Sequence, residues 1–375
     1  MENRLSNYRI RADIDLNAIR ENIDAIKKNL QPQVRICAVI KADGYGHGAV
    51  PVANHIQDIV SFFAVATIEE ALELSNAGID KPILILGYVF PSDLHLAVTN
   101  DIRLTVFDFK TAMEISALAT ELKLKSVVHL KIDTGMGRIG FAANDESIRV
   151  IRDISGLPGI AVEGLFTHFF SSDSSDLGAA DRQLKDFAAF CDKVSSAGID
   201  IPIKHCSNSA AAIAMPQADM DMVRLGISIY GLYPSDAVTA IKLKPALSLK
   251  SHIIMLKTIT AGQSVSYGAT YTADKDTVIA TIPVGYADGY KRSLSNKGYV
   301  LVKGQRAPIT GRICMDMFMV DVSGIAGLST GDEVVLVGQS DDEEITMEEI
   351  SGLAGSFNYE FACNVGKRVP RVYHK

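Results

Sequence analysis

Residues 34–48 read VRICAVIKADGYGHG, an apolar run that ends at Lys41 and is followed by small, turn-forming residues. A nearly unbroken apolar run of this length is typical of a strand buried on both faces of a parallel sheet. A lysine at the end of such a strand projects into the cleft formed by the next loop, where a desolvated amine loses proton affinity and becomes a nucleophile. The segment alone leaves a second interpretation open, in which the lysine only extends its amine into water.

The same order of a short apolar run, a polar loop and a helical stretch recurs along the chain. Apolar residues from Leu16 to Leu30 are spaced three and four apart, which predicts an amphipathic first helix. Strands that alternate with helices predict an α/β fold, a (β/α)8 TIM-like barrel within residues 1–242. No glycine-rich dinucleotide motif follows the first strand, so a Rossmann domain is the weaker interpretation. The eight strand-like runs are Arg35–Lys41, Ser61–Thr67, Pro82–Tyr88, Arg103–Asp108, Ser126–Asp133, Val162–Phe169, Ile203–Ser207 and Met222–Ile229.

The pattern changes beyond Pro234, where strand-like runs and turns replace the helical periodicity. Residues 243–375 are therefore predicted to form a C-terminal mostly-β domain with one short helix at Thr346–Ala354. The first dozen residues of the chain can pack with this second domain. The strand-like runs include Ser251–Ile259, Val278–Pro283, Tyr299–Val302, Met317–Val322 and Glu333–Val337.

The composition argues against several classes of protein. The 375 residues are 47% hydrophobic and 22% charged, as in globular proteins, and the net charge of −7 argues against a nucleic-acid partner. We find no apolar leader and no membrane-spanning run, so we predict a cytoplasmic protein that does not engage a membrane. The cysteines and histidines are scattered without metal-ligand spacing, so neither a disulfide framework nor a metal site is predicted.

Polar and charged side chains collect at the carboxyl ends of the predicted barrel strands, where active sites of this fold lie. A nucleophilic lysine, a buried arginine and an anion cradle after strands seven and eight together predict pyridoxal 5'-phosphate as cofactor. Each feature also has a structural interpretation, such as an ion pair for Arg224 or a helix cap for Asn208. The residues concerned are Lys41, Tyr45, Lys131, Arg138, His168, Asn208, Ser209, Arg224, Gly226 and Ile227.

Five longer motifs are spread over both predicted domains: VIKADGYGHG at 39–48, KIDTGMGRIG at 131–140, VSYG at 265–268, VGYADG at 284–289 and GRICMD at 311–316. These motifs resemble those of the alanine racemases of bacteria, a family of fold-type-III pyridoxal-phosphate enzymes. The resemblance extends from near residue 10 to near residue 372. It implies interconversion of L-alanine and D-alanine, with D-alanine supplied to peptidoglycan.

The resemblance implies a two-base mechanism shared between subunits. Lys41 would hold pyridoxal phosphate and exchange a proton on one face of the α-carbon, while Tyr267 would serve the opposite face. Because these residues lie in different predicted domains, the family's head-to-tail homodimer would bring Tyr267 of one subunit into its partner's site. His168 would assist that tyrosine, and Arg224 would donate to the pyridine nitrogen, since arginine keeps its proton.

Other matched positions imply roles in binding the substrate. Arg138 and the backbone N–H of Met315 would bind the substrate carboxylate, and Lys131 would be carbamylated so that it holds Arg138. Tyr286 and Asp173 would line a narrow access path that favours small amino acids.

One position departs from the pattern of the family. Lys367 stands where many members carry a tyrosine that touches the phosphate and narrows the pocket. A lysine still serves a phosphate as a point charge, but the change leaves serine open as a second substrate. With this residue the cofactor-binding set is Lys41, Tyr45, His168, Asn208, Ser209, Arg224, Gly226, Ile227 and Lys367.

Three alternatives share parts of this pattern. A fold-type-III amino-acid decarboxylase has the same plan, but Arg224 and the lack of a glycine-rich phosphate loop argue against it. A non-catalytic pyridoxal-phosphate-binding protein would not need the second domain with Tyr267. A serine racemase related to resistance enzymes would carry spanning helices in its membrane-anchored forms.

Overall fold

A computed structural model describes residues 8–375. The described chain forms two compact units. The barrel unit comprises residues 19–44 and 49–244, and the β unit comprises residues 8–18, 45–48 and 245–375. Two predictions, the missing leader and part of the packing of the first dozen residues, concern residues 1–7 and lie outside the described residues.

The first described strand and helix follow each other directly. Strand β1 (Ile10–Asp15) belongs to the β unit and leads into helix α1 (Leu16–Lys27). The carboxylate of Asp15 accepts the N–H of Ala18 at 2.9 Å. This bond caps the helix start, a role for which aspartate is favoured.

Eight parallel strands form the barrel, and the predicted (β/α)8 fold is confirmed. They pair in the order β10-β2-β3-β4-β5-β6-β8-β9. The ring closes where the N–H groups of Asp221 and Arg224 donate to the carbonyls of Lys204 and Ser207, both at 3.0 Å. The strands are β2 (Arg35–Val39), β3 (Phe62–Val65), β4 (Ile83–Ile85), β5 (Arg103–Val106), β6 (Ser126–Asp133), the short side strand β7 (Phe141–Ala142), β8 (Ile160–Phe166), β9 (Ile203–His205) and β10 (Met222–Leu225). The helices after α1 are α2 (Ala49–Ile56), α3 (Ile68–Asn76), α4 (Leu94–Thr99), α5 (Phe109–Glu121), α6 (Asp145–Ser155), α7 (Gly178–Ser196) and α8 (Ser209–Ala214).

The β unit is mostly strands, as predicted. Its main sheet runs β12-β15-β18-β17-β16-β19-β11-β1-β21, so β1 lies between β11 and β21. The turn at Lys303–Gly304, with φ angles of 47° and 68°, joins the antiparallel strands β16 and β17. The strands are β11 (Leu247–His252), β12 (Met255–Ile259), β13 (Ser264–Val265), β14 (Tyr271–Thr272), β15 (Thr277–Ile282), β16 (Tyr299–Val302), β17 (Gln305–Thr310), β18 (Phe318–Asp321), β19 (Glu333–Ser340), β20 (Glu343–Ile345) and β21 (Arg371–His374). Its helices are α9 (Met347–Leu353), close to the predicted one, and α10 (Asn358–Cys363), which was not predicted.

Several strand predictions were too long, and two of them show the physical reason. The run Ser251–Ile259 is divided between β11 and β12 because the chain changes hydrogen-bonding partner. Ile253 donates to the carbonyl of Asp332, and Ile254 donates to that of Thr281. The run Met222–Ile229 stops at Leu225 because a short 3-10 helix, Ile227–Tyr230, follows.

None of the helices within residues 8–375 combines the length and apolarity needed to cross a bilayer.

Candidate active site

The chain leaves β2 through a left-handed turn that begins at Lys41. Ala42, Asp43 and Gly44 have φ angles of 53°, 53° and 61°, and Tyr45 continues at 52°. This conformation costs roughly 1–2 kcal/mol for each residue with a side chain. The predicted strand run therefore ends early, at Val39, and the geometry after Lys41 needs support from outside the turn.

Two carboxylates brace this turn. Glu70, in the first turn of α3, accepts the N–H of Ala42 at 2.6 Å with one oxygen and the N–H of Ala66 at 2.7 Å with the other. Asp43 accepts the N–H of Ala49 at 2.8 Å. Glu70 therefore ties the loop after β2 to the loop after β3, directly beside Lys41.

Replacing Glu70 with alanine is expected to lower the free energy of unfolding by about 1–2 kcal/mol, because two backbone donors lose their acceptor. Urea denaturation measures the change. The control is Glu69→Ala on the exposed face of the same helix, expected to stay within about 0.5 kcal/mol. Equal effects of the two substitutions would contradict the bracing role.

Arg224 on β10 is almost fully buried, with 3% of its surface exposed. One guanidinium nitrogen donates to Nδ1 of His205 at 2.9 Å, and another reaches Nδ1 of His168 at 3.3 Å. The second nitrogen also donates to the carbonyls of Thr167 and Cys206 at 2.9 Å and 3.0 Å. Burial lowers the pKa of Arg224 to about 10, which leaves it charged at neutral pH. Within residues 8–375 its hydrogen-bond acceptors are neutral groups, so the ion-pair interpretation does not apply.

Arg224 fixes the tautomers of a chain of histidines. Arginine only donates hydrogen bonds, so Nδ1 of His205 accepts and the His205 proton lies on Nε2. That proton faces Nδ1 of His129 at 2.9 Å, which places the His129 proton on its own Nε2, 3.0 Å from Glu163. Every donor thus points the same way, from Arg224 through two neutral imidazoles to the carboxylate of Glu163.

Burial keeps these imidazoles neutral. It lowers the pKa of His205 well below its usual value and lowers that of His129, and the Arg224 charge acts in the same direction. Burial and the same charge lower the pKa of His168 to about 3. Because Arg224 also donates to Nδ1 of His168, the His168 proton lies on Nε2.

The three histidines predict a pH-dependent stability. Below pH 6.5 these histidines become protonated in the unfolded chain but stay neutral in the folded protein. Each of them therefore lowers the free energy of unfolding by up to about 1.4 kcal/mol for each unit by which the pH falls. We expect the contribution of these histidines to the free energy of unfolding to be fully present above pH 6.5 and to fall toward pH 5, as measured by urea denaturation. His205→Gln should reduce the slope of the free energy of unfolding against pH by about the share of one histidine. An unchanged slope would contradict the conclusion that His205 stays neutral in the folded protein.

Lys131 on β6 is buried among cations. Its amine donates to the carbonyl of Ile132 at 2.9 Å and lies 5.4 Å from the centre of the Phe166 ring. Burial, then repulsion by Arg224 and Arg138, lowers the pKa of Lys131 to about 7. A large share of this amine is therefore neutral and nucleophilic at physiological pH.

A buried hydroxyl cluster follows β9 and β10. The hydroxyl oxygen of Ser209 accepts the N–H of Gly226 at 2.8 Å and the hydroxyl of Ser228 at 2.9 Å. Asn208 caps α8, because its side-chain oxygen accepts the N–H of Ala211 at 3.0 Å. The helix-cap interpretation therefore holds for Asn208, and an anion would meet its amide nitrogen.

Tyr267 and Met315 line one open groove of about 440 Å³ in the β unit. Their exposed fractions are 69% and 53%, which is high for large apolar side chains. Ser266, with φ at 66°, turns the chain before Tyr267 and donates its hydroxyl to the carbonyl of Arg312 at 2.6 Å. The remaining lining residues are Cys314, Asp316, Met317 and Met319.

The predicted site residues are divided between the two units. The barrel unit holds Lys41, Lys131, Arg138, His168, Asp173, Asn208, Ser209, Arg224, Gly226 and Ile227. The β unit holds Tyr45, Tyr267, Tyr286, Met315 and Lys367. Asp173, Tyr286 and Lys367 are exposed, as residues of an access path or pocket rim would be.

Comparisons with known proteins identify the same family in both units. The family model "Alanine racemase, N-terminal domain" matches residues 14–234, and "Alanine racemase, C-terminal domain" matches residues 246–373. The chain belongs to the alanine racemase family. It is 46% identical to an alanine racemase of Desulforamulus reducens over 96% of this chain and 98% of that one. A relative from Desulfovibrio desulfuricans is 47% identical over 96% and 97%.

Solved structures of alanine racemases share the whole fold. The enzyme of Clostridium difficile 630 is 42% identical, with a TM-score of 0.94 over 98% of this chain and 96% of that one. The enzyme of Bacillus anthracis, solved with bound L-Ala-P, is 35% identical, with a TM-score of 0.93 over the same shares. The predicted family and its isomerase class are therefore confirmed.

The sequence predicts no role for four residues that support the candidate site. Glu70, His129, Glu163 and His205 support Lys41 or Arg224 only through tertiary contacts. The family motifs do not include them. A titratable side chain between two apolar neighbours, as His129 is between Val128 and Leu130, is the one signal in the sequence that points to such a residue.

Proposed function

We propose that this protein interconverts L-alanine and D-alanine with pyridoxal 5'-phosphate as cofactor, and that its D-alanine supplies peptidoglycan synthesis. The observation that carries the proposal is Arg224, a buried charged donor held by neutral acceptors at a strand end of the barrel. A guanidinium in that setting can donate a hydrogen bond to an uncharged ring nitrogen, which a carboxylate at the same position could not do. Family membership supports the reaction class.

The residues of the barrel rim fit pyridoxal phosphate. A phosphate needs donors. The Ser209 hydroxyl oxygen accepts the Gly226 N–H and keeps its own proton to donate, and the backbone of Gly226 and Ile227 lies beside it. An aldehyde needs an amine, which Lys41 offers on its braced turn. Bound there, pyridoxal phosphate supplies an electron-withdrawing ring that makes the α-C–H of a bound amino acid acidic. Tyr45 and Lys367 would complete its binding.

Two bases would act on opposite faces of the α-carbon. Lys41 would exchange a proton on one face, and Tyr267 of the partner subunit would do so on the other in a head-to-tail homodimer. The tautomer fixed by Arg224 leaves an N–H on Nε2 of His168. That N–H can donate to the tyrosine oxygen and stabilise its deprotonated form. Since the pKa of His168 is about 3, it acts as a neutral donor.

The substrate carboxylate would bind to Arg138 and to the backbone N–H of Met315 of the partner subunit. A guanidinium matches a carboxylate in geometry and charge. Tyr286 and Asp173 would restrict access to small amino acids. Lys367, in place of the bulkier tyrosine of many relatives, would leave room for serine as a second substrate.

Lys131 is expected to be carbamylated in the native enzyme. Its pKa of about 7 supplies the neutral amine that attacks the carbon of CO2, with release of one proton. The product is an anion that can hold Arg138 and relieve the crowding of cations. Native mass spectrometry with and without bicarbonate should show one added CO2 that is absent from Lys131→Gln. Plain lysine in both conditions would contradict this.

The proposed function is tested by chiral analysis of products. Purified enzyme with pyridoxal phosphate is incubated with a panel of L-amino acids that includes alanine and serine. We expect D-alanine to form fastest, D-serine more slowly, and no CO2 to be released. Release of CO2 would favour the decarboxylase alternative, and unchanged amino acids would favour a binding protein.

A further inference from the structure

A connected ion cluster lies in the β unit. The carboxylate of Asp288, with none of its side chain exposed, accepts from Arg9 at 3.0 Å and from Arg368 at 2.7 Å. Arg368 also donates to Asp316 at 2.7 Å. Arg9, Asp288, Arg368 and Asp316 are called the Asp288 cluster below.

The Asp288 cluster adjoins the proposed site residues of the β unit. Tyr286 is two residues before Asp288, while Met315 and Lys367 each directly precede a cluster member. The loop of Arg368 contacts the buried carboxylate of Asp288 directly, and the loop of Asp316 is joined to both through Arg368. Each of these three loops presents an exposed residue with a proposed role at the substrate or cofactor.

Backbone bonds join the same loops. The N–H groups of Tyr286 and Ala287 donate to the carbonyls of Cys314 and Met315, both at 3.1 Å. Asp288 accepts the N–H of Gly285 at 2.9 Å with its side chain. A side chain at Gly285 would lie 2.2 Å from the Met315 carbonyl oxygen, so these two loops are in direct backbone contact.

The carboxylate of Asp288 is charged in this setting. Burial alone would raise its pKa, but hydrogen bonds from Arg9, Arg368 and the Gly285 N–H outweigh it and lower the pKa. Charge-assisted bonds to planar guanidinium groups are strong and demanding in geometry. The cluster therefore holds its loops in one arrangement more strictly than apolar packing would.

We propose that Asp288 is a positioning residue that fixes Tyr286 and Met315 relative to each other and so sets the site for the amino-acid carboxylate. This rests on the proposed function, which assigns those two residues to the substrate. Asp288 itself does not contact substrate in this account. A cluster that served only general stability would affect the whole β unit alike.

The test compares variants of the holoenzyme at both ends of the cluster. Asp288→Asn removes the central charge, and Asp316→Asn removes the outer carboxylate, which is 51% exposed and so tolerates replacement. The matched control is Glu343→Gln, which breaks the exposed 3.1 Å pair with Arg306 elsewhere in the same unit. The readouts are hydrogen exchange of the Tyr286 and Ala287 amides, KM and kcat for L-alanine, and the free energy of unfolding.

We expect exchange at these amides and KM to rise about tenfold in Asp288→Asn, the effect of losing one charge-assisted bond. Asp316→Asn should show a smaller change of the same kind, with kcat less affected, and the control should show none. If Asp288→Asn does not fold, Asp316→Asn gives the same comparison.

Unchanged exchange at both amides, or faster exchange spread evenly over the β unit, would overturn the proposal. Faster exchange confined to these loops with unchanged KM would support the positioning. It would then count against the substrate roles of Tyr286 and Met315.

Discussion

Mixing equal amounts of Lys41→Ala and Tyr267→Ala protein is expected to restore activity at about a quarter of the sites if subunits exchange. Each variant alone should lose about 10²–10⁴-fold in kcat, because each would lack the acid or base proposed for one face of the α-carbon. A mixed dimer would place both replacements in one site and leave the other site intact. The readout is D-alanine formation after subunit exchange has been verified by native mass spectrometry.

The control for this experiment is Lys41→Ala mixed with a variant that carries both replacements. No dimer in that mixture has an intact site, so it should stay inactive. Verified exchange without recovered activity in the first mixture would refute a site shared between subunits. Substantial activity of Tyr267→Ala on its own would refute the second base.

Replacing Arg224 with glutamate is expected to lower kcat by about 10²–10³-fold, because the substitution would remove a fixed donor from the proposed cofactor site. The new carboxylate accepts where the guanidinium donated. Nδ1 of His205 would then need a proton to meet it, and the ordered chain to His129 and Glu163 would lose its direction. NMR titration should show the pKa of His205 raised above that of the wild type.

Arg224→Lys is the matched control, since it keeps the charge but loses the planar fork that reaches several acceptors at once. It should fall between the wild type and the glutamate variant in kcat and leave the histidines neutral. Equal rates in all three proteins would show that the group at this position does not act on the reaction.

Much of the fold follows from local sequence. The apolar runs between Arg35 and Leu225 form largely buried strands that alternate with helices. Only a few topologies accommodate eight such strands, so the order of runs along the sequence was enough to predict the barrel. Strand ends were less predictable. A strand ends where the chain loses its hydrogen-bonding partner, as it does after Leu225 and between β11 and β12. The partners come from distant parts of the chain, so the local sequence does not reveal where they end.

The candidate site was likewise predictable from the sequence only in part. Lys41, Arg138 and Tyr267 stand in motifs long enough to be found in the sequence. Glu70 is an ordinary charged residue at the start of a helix, and Arg9 is far from every motif. Only their contacts with Ala42 and Asp288 reveal what they support.

The sequence by itself determined the barrel, the β-rich second unit, the family and the chemical character of each strand end, because these follow from periodicity and local motifs. The tertiary structure alone decided the left-handed turn after Lys41, the neutral partners of Arg224 and the direction of the histidine chain. Those features depend on burial and on hydrogen bonds between residues far apart in sequence. Burial determines protonation, and the acceptor at one end of a chain of bonds determines the tautomers along it.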